Sequence, residues 1–154
     1  MATSTVPAAV AALLAILEAA PALAEVRIID GPPSNNLTEK RRVYVGWQPD
    51  ASAVSLTQEF ASAGARLRDE QFDIACYAEA RGGDKDMSLQ RDAVFAVVAV
   101  VEDALRATDA EPEAPTLRGA VLWSGLTAGD LMQEQGPEGA LAGLAFTVSC
   151  RARI

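Results

Sequence analysis

The sequence predicts an α+β fold: a mixed, mostly antiparallel β-sheet with two main helices packed on one face and a projecting β-hairpin arm. Three observations lead there. Residues Asp69 to Arg81 alternate in character, with Phe72, Ile74, Cys76, Ala78 and Ala80 pointing one way and Gln71, Asp73, Tyr77, Glu79 and Arg81 the other. That is the period of a strand with one buried face. After a polar turn, Gly82 to Asp86, an apolar run from Leu89 to Leu105 has helical spacing. The last segment returns to period two: Leu144, Phe146, Val148, Cys150, Ala152 and Ile154 share one face, and Thr147, Ser149, Arg151 and Arg153 the other. Strands linked by hairpins, with helices covering one face, make a two-layer α+β arrangement.

Taken in order, Ser4 or Thr5 caps a first helix, and Pro7 is tolerated in its first turn. Val6, Val10, Leu13, Leu14 and Leu17 form its apolar stripe, and Pro21 ends it. Glu25 to Asp30 is a short strand closed by Gly31-Pro32-Pro33, and Ser34 to Lys40 is a loop. Arg42 to Trp47 is a second strand and Val54 to Phe60 a third. The link Ala61 to Arg68, with Gly64 and two arginines, suits a long exposed hairpin leading into the strand Asp69 to Arg81. Ser88 is expected to cap the main helix. Its broad apolar face is read as Leu89, Ala93, Ala96, Val97, Val100, Val101, Ala104 and Leu105, with Gln90 on the polar side. The two prolines in Asp109 to Thr116 make a loop. Gly119 to Ser124 reads as a fifth strand and Asp130 to Gln135 as a sixth. Gly136 to Gly139 then turns the chain into the final strand, so truncation at the C-terminus is expected to damage the fold.

A length of 154 residues is read as a single domain, residues 1 to 154, long enough to bury a core. Aromatics make up only 5% of the chain, so the core must be mostly Ala, Val, Leu and Ile. The net charge of -8 argues against gripping nucleic acid through its phosphates or an anionic membrane. An acidic protein can still stand beside DNA and let it slide past. The Ala/Leu-rich start resembles a signal peptide, with Ala22-Leu23-Ala24 as a cleavage-like site. No Lys or Arg precedes Arg27, however, and Glu18 interrupts the apolar run. The segment reads as a helix of the mature protein, and synthesis in the cytoplasm is expected.

The chain has no histidine. That removes Ser-His-Asp and Cys-His pairings, the usual zinc sites and the commonest base at neutral pH. Cys76 and Cys150 read as buried thiols, with a disulfide open if their strands are neighbours. Asp84-Lys85-Asp86 lacks the further oxygen ligands of a calcium loop. Gly82-Gly83 fits neither phosphate-loop spacing. Ser124 lacks the first glycine of a nucleophile elbow. Trp47 and Trp123 read equally as core residues or as interface anchors. Arg66, Arg68, Arg151 and Arg153 lie on the hairpin or on the polar face of the last strand. They are the candidate contacts to acids of another subunit, with ordinary surface charge as the alternative.

The runs Gln58 to Tyr77 (QEFASAGARLRDEQFDIACY), Gly82 to Phe95 (GGDKDMSLQRDAVF), Gly119 to Leu126 (GAVLWSGL) and Phe146 to Ile154 (FTVSCRARI) resemble tail terminator proteins of long, non-contractile-tailed bacteriophages. Nearly the whole chain is covered in order, although the motifs are patterns of structure rather than chemistry. The loop Asp109 to Thr116 is longer than that family pattern suggests. The resemblance implies a small α/β virion protein, without catalysis, cofactor or metal, that assembles as a hexameric ring. It implies that the ring caps the head-proximal end of the tail tube, ends tube growth and joins the neck. The implied partners are further copies of the chain, the major tail tube protein and head-tail connector proteins, with DNA passing through the lumen. A head-completion neck protein is the competing reading within the same class. A small cytoplasmic enzyme or ligand-binding domain is the competitor from a different class.

Overall fold

The computed structural model describes residues 3–34, 37–64 and 66–154. Its elements run α1 (Val6–Ala19), β1 (Arg27–Asp30), β2 (Arg41–Val45), β3 (Val54–Phe60), β4 (Arg68–Arg81), α2 (Met87–Leu105), β5 (Trp123–Gly136) and β6 (Gly139–Arg153). Short 3-10 turns lie at Pro21–Leu23 and Ala114–Thr116. The loop expected over Ser34 to Lys40 and the link expected over Ala61 to Arg68 include residues 35, 36 and 65, which lie outside the described residues.

The strands form one mixed sheet in the order β1-β2-β4-β6-β5, with β3 also paired to β4. The β1–β2 pair is parallel and every other pair is antiparallel. β2 and β3 lie end to end along one edge of β4, opposite Cys76–Ala80 and Arg68–Ile74 respectively. Between them residues 46–53 leave the sheet at Ala75. The Ala75 carbonyl accepts the amides of Gly46 (2.8 Å) and Trp47 (2.9 Å), and its amide donates to the Ala53 carbonyl at 2.9 Å. On its other side β4 pairs with β6 from Asp69↔Arg153 to Arg81↔Leu141. β4 is therefore hydrogen-bonded along both edges. The predicted hairpin arm is mostly sheet: β3 pairs with β4 from Phe60↔Arg68 to Val54↔Ile74, and β4 with β6 from Asp69↔Arg153 onwards.

The main core lies between the sheet and both helices. Ala9, Leu13 and Leu17 of α1 and Val94, Val97, Val98, Val101 and Leu105 of α2 are buried against it. The sheet contributes Val43 and Val45 of β2, the even positions Phe72 to Ala80 of β4, and the even positions Ala142 to Ala152 of β6. The α2 face is rotated from the expected one: Val94 and Val98 are buried, whereas Leu89 is 50% exposed and Ala96 faces solvent. Gln90, expected on the polar side, is buried. The valines and alanines of α2, with Leu89 and Leu105, fit two faces of its wheel almost equally well. The choice is made by the seat the sheet offers, since propensity alone holds such a Val-rich helix weakly.

Capping also differs from expectation. Asp86, two residues before Ser88, caps α2, its Oδ1 accepting the Leu89 amide at 3.1 Å. At α1, Thr5 occupies the cap position without a side-chain bond, while Ser4 Oγ accepts the Val6 amide at 3.1 Å. The stronger anchor comes from far away in sequence. Glu70 is buried beneath the start of α1, where Oε1 accepts the Thr5 amide at 2.8 Å and Oε2 accepts Gln58 Nε2 at 2.5 Å. Burial pushes this carboxyl up, but hydrogen bonds from Ser4, Gln58 and Thr5 outweigh it and hold it below its ordinary value. A carboxylate at a helix N-terminus is stabilised by the unpaired amides there, so Glu70 ties α1 to the β3–β4 hairpin.

The fifth and sixth strands of the sequence reading are one strand. β5 runs continuously from Trp123 to Gly136, with a register shift between Leu126 and Ala128. Residues 119–122, expected as strand, form a turn. Leu117, Arg118 and Gly119 all have left-handed φ (50°, 58° and 86°), which turns the chain there. The fully buried Leu117 side chain rewards that conformation. β6 starts earlier than the cleanest alternation suggested, at Gly139.

Candidate functional site

The outer face of the sheet, away from the helices, is where the simple alternation of β4 fails. Ala75, Tyr77 and Glu79 are buried on this side too. Tyr44 of β2 stands opposite Tyr77, and Trp47 closes on both, with ring centroids 5.1 Å from Tyr44 and 5.6 Å from Tyr77, the latter edge-on. Leu37 and Ile29 pack onto this cluster. Arg42 holds the covering segment by donating to the carbonyls of Leu37 (2.7 Å) and Glu39 (2.8 Å). It also lies 3.9 Å from buried Glu79, which pairs in turn with Arg81. Tyr77 lies over Gly143 so closely that a Cβ there would overlap its ring and hydroxyl. Trp47 is thus a packing residue. Trp123 is 43% exposed and lies beside Arg151, its register partner.

The Gly82 to Asp86 turn is built for contact between turns. The Ala140 amide donates to the Asp84 carbonyl at 2.7 Å, and Gln135 Nε2 to the Lys85 carbonyl at 2.9 Å. Gly139, at φ 109°, faces the Gly82 and Asp84 carbonyls with no room for a side chain. The turn's carboxylates are engaged locally: Asp84 accepts the Asp86 amide at 3.2 Å, and Asp86 caps α2. Among the described residues no three Cys, Asp or Glu side chains converge on a metal position.

The groups with shifted pKa values move away from neutrality. Burial pushes the Cys76 and Cys150 thiols up to about 12. It also raises Tyr44, and with Glu79 and Glu134 it pushes Tyr77 up to about 12. Asp69 is lowered by the hydrogen bond from Arg153. None of these is poised to exchange a proton at pH 7. The two cysteines sit on neighbouring strands, but Cys76 pairs with Phe146 and Cys150 with Phe72. Four residues of offset at ~3.3 Å each put them ~13 Å apart along the strands, beyond disulfide reach. Both are free.

The four candidate arginines gather at one end of the sheet but not on one face. Arg151 and Arg153 are exposed on the outer face, and Arg153 is bound to Asp69 of its own chain at 2.6 Å. Arg68 begins β4 in the register of Glu70 and Phe72, towards the helix side, and exchanges backbone hydrogen bonds with Ile154. Arg66 is exposed on the hairpin turn. Among the described residues, no carboxylate of the same chain lies within ion-pair distance of Arg66, Arg68 or Arg151.

That arrangement of sheet, helices and hairpin has a counterpart. The fold is shared with a virion chain. A chain of the virion of a native gene transfer agent particle superposes with a TM-score of 0.61 at 15% sequence identity, covering 99% of this chain and 100% of that one. No protein-family model matches the sequence, and neither does any curated protein. At that identity the likeness is one of fold. No helix among the described residues is long and apolar enough to cross a membrane.

Several large apolar residues that do not stand out as sites in the sequence are exposed. Phe60 is 68% exposed and Leu67 54% exposed, on either side of the hairpin turn. Leu56 is also exposed on β3. On the opposite edge of the sheet, Phe95 of α2 and Leu131 of β5 border a groove of about 330 Å³ that also reaches Leu126 and Phe146. The available signal was local: Phe60 and Leu67 stand at a turn, where no neighbour in sequence can cover them.

Proposed function

We propose that this chain is a structural virion protein of the tail-terminator kind. In this reading it forms a ring, of six copies, on the head-proximal end of a tail tube, ends tube growth and offers the surface that joins the neck. The observation that carries it is the fold likeness to a virion chain over essentially the full length of both. The resemblance of four sequence runs to tail terminators supports the same reading and narrows it. The chemistry is consistent with it: carboxylates are used for capping and packing, and thiols and phenols are shifted away from neutrality.

Ring closure follows from repeated head-to-tail contacts between different patches of identical chains. The net charge of -8 suits a lumen through which DNA passes without sticking. Electron microscopy of the purified chain is expected to show six-fold rings, and mixing with tail tubes is expected to cap one end and stop further tube assembly. Rings that bind a head connector but leave tubes uncapped would point to the neck-protein reading. A monomer that stays monomeric beside tube protein would overturn the structural role. A ring with a basic lumen would remove the proposed DNA passage while leaving the capping role intact.

A further inference from the structure

We propose that Phe60 and Leu67, at the end of the β3–β4 hairpin of one copy, seat in the groove between α2 and β5 of the next copy, and that this contact closes the ring. This rests on the ring reading above and names the two surfaces that it needs.

The two patches lie on opposite edges of the sheet. β3 flanks β4 on the β2 side, whereas β5 is the far edge strand beyond β6. Different patches on opposite edges meet head to tail when copies associate, and such contacts generate rings or filaments rather than closed dimers. Each patch is apolar at its centre. The hairpin end carries Phe60 on its helix-ward face and Leu67 on the other face, both more than half exposed, so it is an apolar tip rather than a flat patch. The groove is floored by Leu126, Leu131 and Phe146 and walled by Phe95, which is 48% exposed. A protruding aromatic entering an apolar cleft is the usual form of an interface anchor.

Charge favours this occupant over a generic apolar one. Arg66 and Arg68 flank the knob, and no carboxylate of the described chain neutralises either by an ion pair. The α2 face beside the groove carries Asp92 and Glu102, respectively three residues before and seven after Phe95, hence on the same stripe of the helix. Glu102 is held by Arg106 at 2.6 Å, but both side chains are about half exposed, and an exposed i,i+4 pair is weak enough to exchange partners. Basic knob and acidic groove give the contact a direction.

The test uses the full chain with Phe60→Asp in the knob and Phe95→Asp in the groove. Both positions are substantially exposed, and circular dichroism and thermal melting check that each variant folds. Sedimentation is expected to show rings for the parent chain and monomers for each variant alone, with self-association weakened at least about 30-fold, as for an interface anchor. Mixing the two variants leaves one intact knob and one intact groove, so a heterodimer and nothing larger is expected. Folded variants that both still form rings would overturn this contact and leave the ring reading standing. Rings that persist but no longer cap tubes would assign the groove to the tube protein and overturn it likewise. A parent chain that is monomeric at every concentration, with and without tubes, would overturn both.

Discussion

At the scale of single residues, two positions determine more than their size suggests. Gly143 has no room for a methyl group because Tyr77 lies across it. Gly143→Ala is therefore expected to displace Tyr77 from the Tyr44–Trp47 cluster and destabilise the chain by about 1–3 kcal/mol in urea unfolding. Glu70 bonds the start of α1 and, among the described residues, has no ion-pair partner. Its folded pKa lies below its ordinary value of 4.5, so the stability it contributes is fully present above that value. The contribution is lost as the pH falls through the lower folded value. Melting temperature is expected to fall as the pH drops below Glu70's ordinary value of 4.5 in the parent chain, and less steeply in Glu70→Gln. At neutral pH, Glu70→Ala should cost about 1–3 kcal/mol, because buried donors lose their acceptor. The thiols of Cys76 and Cys150, at about 12, are expected to resist a thiol-labelling reagent in the folded chain and to react only on unfolding.

At the scale of elements, periodicity located the strands and helices well and their ends poorly. The alternation over Asp69 to Arg81 and over Leu144 to Ile154 marks β4 and β6, which pair with each other at the centre of the sheet. The cap of α2 shows why ends are harder. Asp86 and Ser88 are both good caps, and only the backbone path of the turn decides which carboxyl or hydroxyl reaches a free amide. Asp86→Ala is expected to cost about 1 kcal/mol while Ser88→Ala stays near neutral, a pair that thermal melts can separate. An apolar run of the length of Gly119 to Ser124 fits a turn as well as a strand, and here residues 119–122 turn. The left-handed residues 117–119 are invisible to pattern reading when two of them are Leu and Arg. Since β6 pairs with both β4 and β5, removing residues 146–154 is expected to abolish cooperative unfolding rather than shift its midpoint.

At the scale of the whole molecule, the candidate site illustrates the limit of reading one chain in one dimension. The four arginines were visible as charges, but their separation between two faces, and the Arg153–Asp69 pair that occupies one of them, required the sheet. The apolar partners Phe60, Leu67 and Phe95 look like core residues in sequence and are exposed in the fold. If the ring forms through them, the parent chain's melting temperature should rise with protein concentration, and Phe60→Asp should abolish that dependence. The sequence by itself determined the α+β class, the order of the main elements and the helix-facing registers of β4 and β6, because local periodicity is written directly in the spacing of apolar side chains. It also excluded histidine-based chemistry outright. Tertiary structure alone decided which face of α2 is buried, that β2 and β3 share one edge of β4, and that the cysteines are four residues out of register. It likewise revealed that the hairpin arm is sheet up to its turn. Those features depend on strands far apart in sequence meeting in one register, and no local pattern encodes which partner a strand or a helix face will find.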